Sequence, residues 1–212
     1  MRIENGVTYL RPFLGLRRAD MLNICEAEGV APWNDPTNTD QTLMRARIRH
    51  TILPFLQEHL GGDVALSLAR TAAVAGPDAE YLDALAAAEY TRLKLPAGVH
   101  LPDIPGVDAV PGDHSTEDAS EKPTPTVITL NRAETAALHP ALRMRVLALA
   151  TRAAQGENPG FERLQALDEF VAEHATAGPV QLPGHVSAYR RRRVQDPRTG
   201  TRVDALVLVS QQ

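Results

Sequence analysis

Apolar residues recur three and four positions apart along most of the chain, which is the spacing of one face of an α-helix. The spacing leaves open whether residues 63–94 form one kinked helix or two, because Gly76-Pro77 interrupts them. Pro54 is expected to strain another helix and leaves open a break there. Helices are predicted over residues 18–29, 40–60, 63–75, 78–94, 131–156 and 161–176, with a break at His139-Pro140 in the fifth.

The C-terminal tail has a different pattern, in which short runs rich in β-branched residues are bounded by turn residues. Strands are predicted over residues 180–182, 185–194 and 202–209, and short strands also over residues 7–10 and 126–130. A turn at residues 196–200 joins the last two strands of the tail. The chain is therefore predicted to be mainly α, of the α+β class, with a small C-terminal β-hairpin.

The composition is that of an ordinary packed protein, with 212 residues and 43% hydrophobic content. No stretch approaches the roughly 18 apolar residues of a membrane span, and the N-terminus lacks the apolar core of a secretory signal. A cytoplasmic location without a membrane partner is therefore expected. Cys25 is interpreted as a small buried hydrophobe, and the scattered histidines favour no metal site.

Charge is unevenly distributed along the chain, although the formal net charge is only -4. Residues 103–121 hold six acidic residues and no lysine or arginine, so the rest of the chain carries +2. Proline is also frequent around them, and residues 96–126 are predicted to form a mobile loop. The arginines are clustered, and local basic patches attract phosphates whatever the net charge of the whole protein.

A polar motif at residues 35–50 combines carboxylates with arginines. Asp35 precedes a proline, which disfavours the helical conformation, and Asp40 is a typical first residue of a helix. On that helix Arg45 and Arg49 are four residues apart and share a face. The other face is predicted to pack through an apolar stripe of Met44, Ile48, Ile52 and Phe55. Such a motif suits a substrate with phosphates and amines, and the alternative is a solvated arginine face.

Residues 35–61 resemble the segment that closes the catalytic domain of bacterial tRNA(Ile)-lysidine synthetases, in which a DPxN loop leads into an arginine-rich helix. The family's helix ends in a leucine-proline pair, as Leu53-Pro54 does here. Residues 10–20 are similar to the family's RPLL strand end and the helix after it. Three further segments resemble the family's helical substrate-binding domain and occur in the same order. They are residues 68–83, 138–156 and 180–190. One departure is Ala46, which stands where the family commonly has an asparagine.

The resemblance implies an enzyme that uses ATP, with magnesium, to adenylate the C2 position of the wobble cytidine in a tRNA(Ile) with a CAU anticodon. The amine of free lysine then displaces AMP, and lysidine results. The family binds ATP with an SGGxDS loop, which this sequence lacks. Gly61-Gly62 does not replace that loop, since no strand leads in and no Ser or Thr cluster follows. The chain by itself is therefore expected to bind no ATP and to be inactive.

The same resemblance implies two domains. Residues 1–58 are expected to be the C-terminal end of an α/β nucleotide-binding domain of the ATP pyrophosphatase type. Residues 59–212 are expected to be a helical domain that binds tRNA and substrate. The ATP site would then lie in an N-terminal part outside this sequence, and a homodimer is left open.

The residues that match the family's motifs form the candidate site, whereas the run from Arg190 to Arg193 has two competing interpretations. Arg190 to Arg193 alternate faces in a predicted strand, so a charged, solvated sheet edge competes there with phosphate binding. The candidate catalytic residues are Asp35, Asn38, Arg45 and Arg49, and the candidate tRNA-binding residues are Arg11, Arg17, Arg18, Arg47 and His50. Two other functions stay open, namely a stand-alone RNA-binding module without catalysis and a helical protein-interaction domain.

Overall fold

The computed structural model describes residues 2–4, 7–97, 99–101, 104, 107, 125–172 and 178–210. The chain divides into two compact units, Met1–Thr71 and Ala72–Gln212, which we call the first and second units. The division falls inside a long helix and lies later in the sequence than the boundary predicted after residue 58.

The first unit begins with a hairpin of two short antiparallel strands, β1 (Arg2–Glu4) and β2 (Val7–Tyr9). The strand predicted over residues 7–10 is thus present, and β1 is its partner. Helix α1 (Arg18–Ala27) follows and ends before Gly29. The φ angle of Gly29 is +65°, in the left-handed region that glycine adopts without strain, so the helix stops where the sequence predicts.

The helix expected from Asp40 begins later, at Met44. The Asp40 carboxylate accepts hydrogen bonds from the Thr42 backbone N–H at 2.9 Å and from the Thr42 hydroxyl at 2.7 Å. The Leu43 N–H donates to the Asp40 carbonyl oxygen at 3.1 Å and closes a turn. Aspartate side chains that bond to the following backbone in this way compete with helix formation, which explains the later start.

Pro54 does not divide the following helix. Helix α2 (Met44–Arg47) continues through a π-helical turn (Ile48–Ile52) into α3 (Leu53–Leu60). In an α-helix a proline lacks the N–H for its hydrogen bond, and its ring collides with the carbonyl four residues earlier. The wider π turn directly before Pro54 relieves both restrictions, so the proline stands in the first turn of α3.

One helix, α4 (Val64–Leu93), includes Gly76 and Pro77, so the single-helix alternative is correct. It begins in the first unit and ends in the second, where Ala86 and Leu93 are buried. None of the helices in the described part of the chain, α4 included, combines the length and the apolar character needed to cross a membrane.

The second unit is a four-stranded antiparallel sheet with helices packed on it. Its strands are β3 (Val127–Asn131), β4 (Val180–Leu182), β5 (Val186–Gln195) and β6 (Arg202–Ser210), and its helices after α4 are α5 (Arg132–Ala137), α6 (Pro140–Ala153) and α7 (Phe161–Val171). The strand order is β3-β6-β5-β4. The α+β class is confirmed, and the predicted hairpin β5-β6 is the centre of a larger sheet.

Two capping residues start the helices that follow β3. The Asn131 side-chain oxygen accepts a hydrogen bond from the Glu134 N–H at 3.2 Å, which caps α5, and the Asn131 side-chain amide donates to the Glu134 carboxylate at 2.6 Å. His139 accepts from the Ala141 N–H at 3.2 Å, and α6 begins at Pro140. The predicted cap and the predicted break between α5 and α6 are therefore confirmed.

Both faces of the sheet are covered, as the alternation along β6 shows. Leu206 and Leu208 belong to a core shared with the helices, whereas Val207 and Val209 belong to a second core on the other face. The helices contribute Leu93, Val146, Leu147, Leu167 and Phe170 to the first of these cores. The second unit therefore closes a hydrophobic core of its own on each side of the sheet.

The beginning of the predicted mobile loop, residues 96–126, covers the second face. Leu101 and Ile104 are buried there with Val207 and Val209. Prolines and acidic residues indicate a loop here, but two apolar side chains among them pack on the sheet. Residues 108–124 lie outside the described residues, and their mobility stays a prediction.

We expect Ile104→Ala to lower the free energy of unfolding by about 2–5 kcal/mol, because it empties a fully buried position. Urea denaturation of the whole chain, followed by circular dichroism, measures this change. Val99→Ala is the matched control, since Val99 is only partly buried on the same core. An equal, small effect of both substitutions would show that the segment does not pack on the sheet in solution.

Candidate functional site

The DPTN motif forms a tight polar turn in the first unit. Asp35 stands before a 3-10 turn (Pro36–Asn38), and its Oδ1 accepts the Thr37 backbone N–H and the Thr37 hydroxyl, both at 2.8 Å. These hydrogen bonds, the backbone one first, lower the pKa of Asp35 below its usual value. Asp35 is therefore ionised at neutral pH and can accept hydrogen bonds from an ammonium group.

A second carboxylate of the same loop is held in the same way. Asp40 is bonded by the hydroxyl and the backbone N–H of Thr42, and these bonds lower the pKa of Asp40. The loop that leads into α2 thus carries two carboxylates that are ionised at neutral pH.

Two side chains of the arginine-rich helix anchor this loop. Arg47 donates to the carbonyl oxygens of Gln41 and Thr42, each at 3.2 Å. His50 Nε2 lies 3.0 Å from the carbonyl oxygen of Asn38, and since a carbonyl only accepts, the ring nitrogen donates. Both side chains were expected to bind tRNA; they instead bond to the loop backbone, and tRNA contact by them stays a prediction.

Three candidate side chains remain available to a ligand. Arg45 on α2 and Arg49 on the π turn are exposed. Neither guanidinium group forms a hydrogen bond or an ion pair with another residue that the structure describes, and the same holds for the Asn38 side-chain amide. The loop therefore presents the Asn38 amide, and the helix after it presents two cations that the described residues do not neutralise. Arg49 lies on a π-helical turn, a feature that is frequent at functional sites.

The three candidate arginines that precede the loop in the sequence differ in their contacts. Arg17 forms an ion pair with Asp63, and Arg18 donates to the Asn34 side-chain oxygen at 3.4 Å. Arg11 is exposed and its side chain bonds to none of the described residues. Of these three predicted tRNA-binding residues, Arg17 has the clearest role inside the first unit.

Ala46, the departure from the family's helix, is 5% exposed and is the only buried residue among residues 7–71. An asparagine at a buried position needs a hydrogen-bond partner for its amide, whereas alanine needs none. Any hydrogen bond that a side-chain amide would make at this position is therefore absent from this chain.

Large apolar side chains of the first unit are exposed instead of packed. Trp33 is 81% and Leu14 77% exposed. The apolar stripe of Met44, Ile48, Ile52 and Phe55 is exposed as well, so the prediction that it packs within this chain is wrong. A surface with so many exposed apolar side chains is typical of an interaction site.

The Gly61-Gly62 segment does not form a phosphate-binding loop. Gly61 and Gly62 have φ angles of +71° and +69° and end α3. Asp63 follows them, accepts the Leu66 N–H at 2.9 Å and pairs with Arg17, so an anion already occupies the N-terminus of α4. Within the described ranges, no group of three or more His, Cys, Asp or Glu residues is arranged to hold a metal ion.

The second unit contains a pocket, which we call the arginine pocket, that the sequence pattern does not predict. Its volume is about 530 Å³, and its lining includes Arg132, Arg190, Arg191, Arg192, Phe170 and Asp204. Arg190 is half-buried, and its guanidinium carbon lies 4.6 Å from the centre of the Phe170 ring. The interpretation of Arg190 as part of a solvated sheet edge is therefore wrong.

Two segments of the chain match known families. Residues 1–56 match the PP-loop domain, and residues 130–195 match the TilS substrate binding domain. The tRNA(Ile)-lysidine synthase of Leifsonia xyli subsp. xyli is 34% identical over 175 residues, which are 82% of this chain and 45% of the relative. That of Bifidobacterium longum subsp. infantis is 32% identical over 204 residues, 90% of this chain and 51% of the relative. That of Thermobifida fusca is 32% identical over 205 residues, 95% of this chain and 50% of the relative.

The anchored loop lies within the first match and most of the arginine pocket within the second. Together they define a PP-loop protein with a substrate-binding domain of the TilS type. The chain belongs to the tRNA(Ile)-lysidine synthetase family, as its motifs predict. It spans about half the length of the relatives it matches.

Proposed function

We propose that this chain is the C-terminal part of a tRNA(Ile)-lysidine ligase and supplies the sites for lysine, the wobble cytidine and the tRNA body. The family membership and the order of the two matched domains support this proposal. The observation that carries it is the loop anchored by Arg47 and His50, which holds an ionised Asp35. The helix after this loop carries Arg45 and Arg49, whose guanidinium groups pair with none of the described residues.

Each candidate residue has a chemical role in this proposal. Asp35 accepts hydrogen bonds from the lysine ammonium group. After the ammonium group has lost a proton, Asp35 orients the resulting amine. Arg45 and Arg49 contact phosphate oxygens and stabilise the negative charge that develops on the departing AMP. The Asn38 amide can both donate and accept, which suits the edge of a cytosine base.

We place ATP and magnesium in a nucleotide-binding part outside this sequence. The Gly61-Gly62 segment offers no phosphate site, and the relatives are about twice as long as the matched region. The exposed apolar side chains of the first unit, such as Leu14 and Trp33, would be covered by that part. The ligase activity therefore belongs to the assembled protein.

The chain alone is expected to show no saturable ATP binding in calorimetry and to form no lysidine on a tRNA(Ile) transcript with a CAU anticodon. Joined to the N-terminal half of the Bifidobacterium longum subsp. infantis relative, it should incorporate radiolabelled lysine into that transcript. The reason is that the added half supplies the nucleotide site and covers the apolar surface of the first unit.

Two controls make this test decisive. The same fusion carrying Asp35→Asn should fold and lose lysine incorporation, and the N-terminal half alone should incorporate none. Micromolar ATP binding by the isolated chain would show that the nucleotide site lies within it. If the fusion is monodisperse, binds ATP and still incorporates no lysine, the ligase proposal is wrong.

A stand-alone RNA-binding module is the second candidate function, and one observation favours it. The second unit closes its cores on both faces of the sheet without any residue of the first unit. Such a module would bind tRNA(Ile) equally well after its CAU anticodon is replaced. The ligase proposal expects weaker binding of the altered tRNA by the fusion, so a competition assay with the two transcripts separates the candidates.

A further inference from the structure

The loop that leads into α2, residues 35–43, is held in place by polar contacts. Every residue from Pro36 to Arg45 is exposed, and the first buried side chain after them is Ala46. Burial of apolar side chains, which fixes most segments of a folded protein, therefore contributes little to this loop. Its position on the helix depends on hydrogen bonds.

Two turns inside the loop fix its local shape. The Asp35 carboxylate accepts from Thr37, and the Asp40 carboxylate accepts from Thr42, in each case from two residues further along the chain. Hydrogen bonds over so short a distance set the turns themselves, but they leave open how the whole loop lies on the helix. That arrangement requires bonds between the loop and the helix.

Three side chains of the helix make such bonds. Arg47, His50 and Thr51 are three and four positions apart, so they share a helix face. Arg47 and His50 donate to carbonyl oxygens of the loop. The Thr51 hydroxyl donates to the Gln41 side-chain oxygen at 3.1 Å and thereby joins a side chain of the helix to a side chain of the loop.

Thr51 differs from the other helical threonines of the chain in its hydrogen bond. A threonine in a helix commonly donates to a carbonyl oxygen of the preceding turn in its own helix. Four threonines make this bond to the residue four positions earlier, at 2.6 to 3.1 Å, namely Thr71, Thr91, Thr135 and Thr151. Thr51 lies in the π turn, and its hydroxyl bonds to Gln41 instead. The contact with the loop replaces the usual bond within the helix.

The loop carries the two groups that the proposed function assigns to lysine and cytosine, which are Asp35 and Asn38. A misplacement of reacting groups by about 1 Å can lower a rate on the order of a hundredfold. Residues that hold such a loop therefore affect the reaction even when they do not touch the substrate. Thr51 and Gln41 stand in this relation to Asp35 and Asn38.

We propose that Thr51 is a positioning residue of the lysine transfer and acts through Gln41, an inference that rests on the proposed function. The Thr51 hydroxyl holds the Gln41 side chain, and Gln41 holds the loop so that Asp35 presents the lysine amine to the target base. Thr51 is exposed, and one exposed hydrogen bond adds little to the stability of the fold. Its loss is therefore expected to affect the use of lysine and not folding.

The test measures single-turnover lysine incorporation by the fusion over a range of lysine concentrations. Thr51→Val removes the hydroxyl at nearly constant volume and should lower the rate at low lysine about fivefold, the size expected for the loss of one hydrogen bond. Thr51→Ser keeps the hydroxyl and should restore most of the rate. Thr71→Val is the matched control, because Thr71 is also an exposed helical threonine of the first unit, and this substitution should leave the rate unchanged.

A double-mutant cycle tests whether Thr51 acts through Gln41. Gln41→Met removes the acceptor oxygen and should lower the rate as Thr51→Val does, whereas Gln41→Glu keeps an acceptor and should have a smaller effect. Thr51→Val combined with Gln41→Met should be about as slow as either single variant, because both substitutions break the same bond. Losses that multiply would show that the two residues act independently, which overturns the proposal.

Amide hydrogen exchange in the whole chain gives a readout that does not depend on catalysis. The N–H groups of Asn38, Thr39 and Asp40 bond to carbonyl oxygens within the loop. Their exchange should be faster in Thr51→Val and unchanged in Thr71→Val, because only the first substitution releases the loop from the helix. Equal exchange in the wild type and in Thr51→Val would show that the hydroxyl does not hold the loop, and the proposal would be wrong.

The positioning role and the proposed function fail in different ways. If the wild-type fusion incorporates lysine and Thr51→Val keeps the same lysine dependence, the positioning role is wrong and the proposed function stands. If Thr51→Val lowers the melting temperature and the tRNA affinity together with the rate, Thr51 is only structural and the positioning role is again wrong. A wild-type fusion that is monodisperse, binds ATP and incorporates no lysine overturns both proposals.

Discussion

Arg143→Ala is expected to lower the free energy of unfolding by about 3 kcal/mol. The Arg143 guanidinium group bonds to both carboxylate oxygens of Asp168, at 2.5 and 2.9 Å, and to the carbonyl oxygens of Ala136 and Leu138, at 3.0 and 3.1 Å. One side chain therefore connects the end of α5, α6 and α7. Only 14% of it is exposed, so its removal leaves a largely buried carboxylate and two carbonyl groups without their donor.

Urea denaturation of the whole chain measures this change, and Arg145→Ala is its matched control. Arg145 is on the same helix and bonds to Asp83 at 2.8 Å, but the Asp83 side chain is 70% exposed. Its removal should cost less than about 1 kcal/mol. If the two substitutions had equal small effects, the connection of the three helices through Arg143 would contribute nothing to stability.

Arg45→Ala and Arg49→Ala are each expected to reduce lysidine formation by the fusion on the order of a hundredfold, the usual loss when one group that stabilises a transition state is removed. The melting temperature should stay nearly constant, because exposed arginines without partners among the described residues contribute little to folding. Single-turnover lysine incorporation and thermal denaturation measure the two quantities.

Two further substitutions test the interpretation of the arginine face. Arg70→Ala removes another exposed arginine of the first unit and should change neither turnover nor stability. Arg47→Ala should lower both, because it releases the loop backbone at Gln41 and Thr42. If Arg45→Ala and Arg49→Ala keep wild-type turnover, their helix face is only solvated and the site assignment fails. If they unfold the protein, these arginines are structural.

The elements that could be predicted from the sequence have their causes within a few residues. The Asn131 side chain caps α5 at the Glu134 N–H within one helical turn, and Pro140 fixes the start of α6. The turn at residues 196–200 joins β5 to β6 and ends in Gly200, whose φ angle of +71° glycine tolerates. Interactions between neighbouring residues determine where these helices and turns begin and end, and tertiary packing does not shift them.

The elements that could not be predicted depend on distant partners. Ile104 is buried because a sheet face formed by β6, some hundred residues later, needs a cover. Arg190 is packed because Phe170 lies beneath it, and no local pattern indicates that contact. Arg132 resembles any helix-start residue in the sequence, yet it bonds to the carbonyl oxygen of Val171 across the unit.

The candidate site could be predicted only in part, because some of its features follow from residue type and others depend on the fold. The residue types of Asp35, Arg45 and Arg49 indicate their chemistry directly, and their roles stay predictions. The anchoring by Arg47 was not predicted, because it depends on the later helix start, which leaves the Gln41 and Thr42 carbonyl groups free to accept. The His50 contact with the Asn38 carbonyl depends on how the loop folds back over twelve residues.

The π-helical turn at Ile48–Ile52 sets the angular phase between the two ends of its helix. An α-helix advances about 100° per residue, and a π turn accommodates one extra residue without lengthening the ladder of hydrogen bonds. Arg45 is therefore rotated by roughly one residue step relative to Phe55, compared with an uninterrupted helix of the same sequence. Deletion of one residue within this turn would convert it to an ordinary α-helical turn, and Arg45 and Phe55 would keep their relative directions around the axis. The direction in which the arginines point is thus encoded by helix winding as well as by residue type.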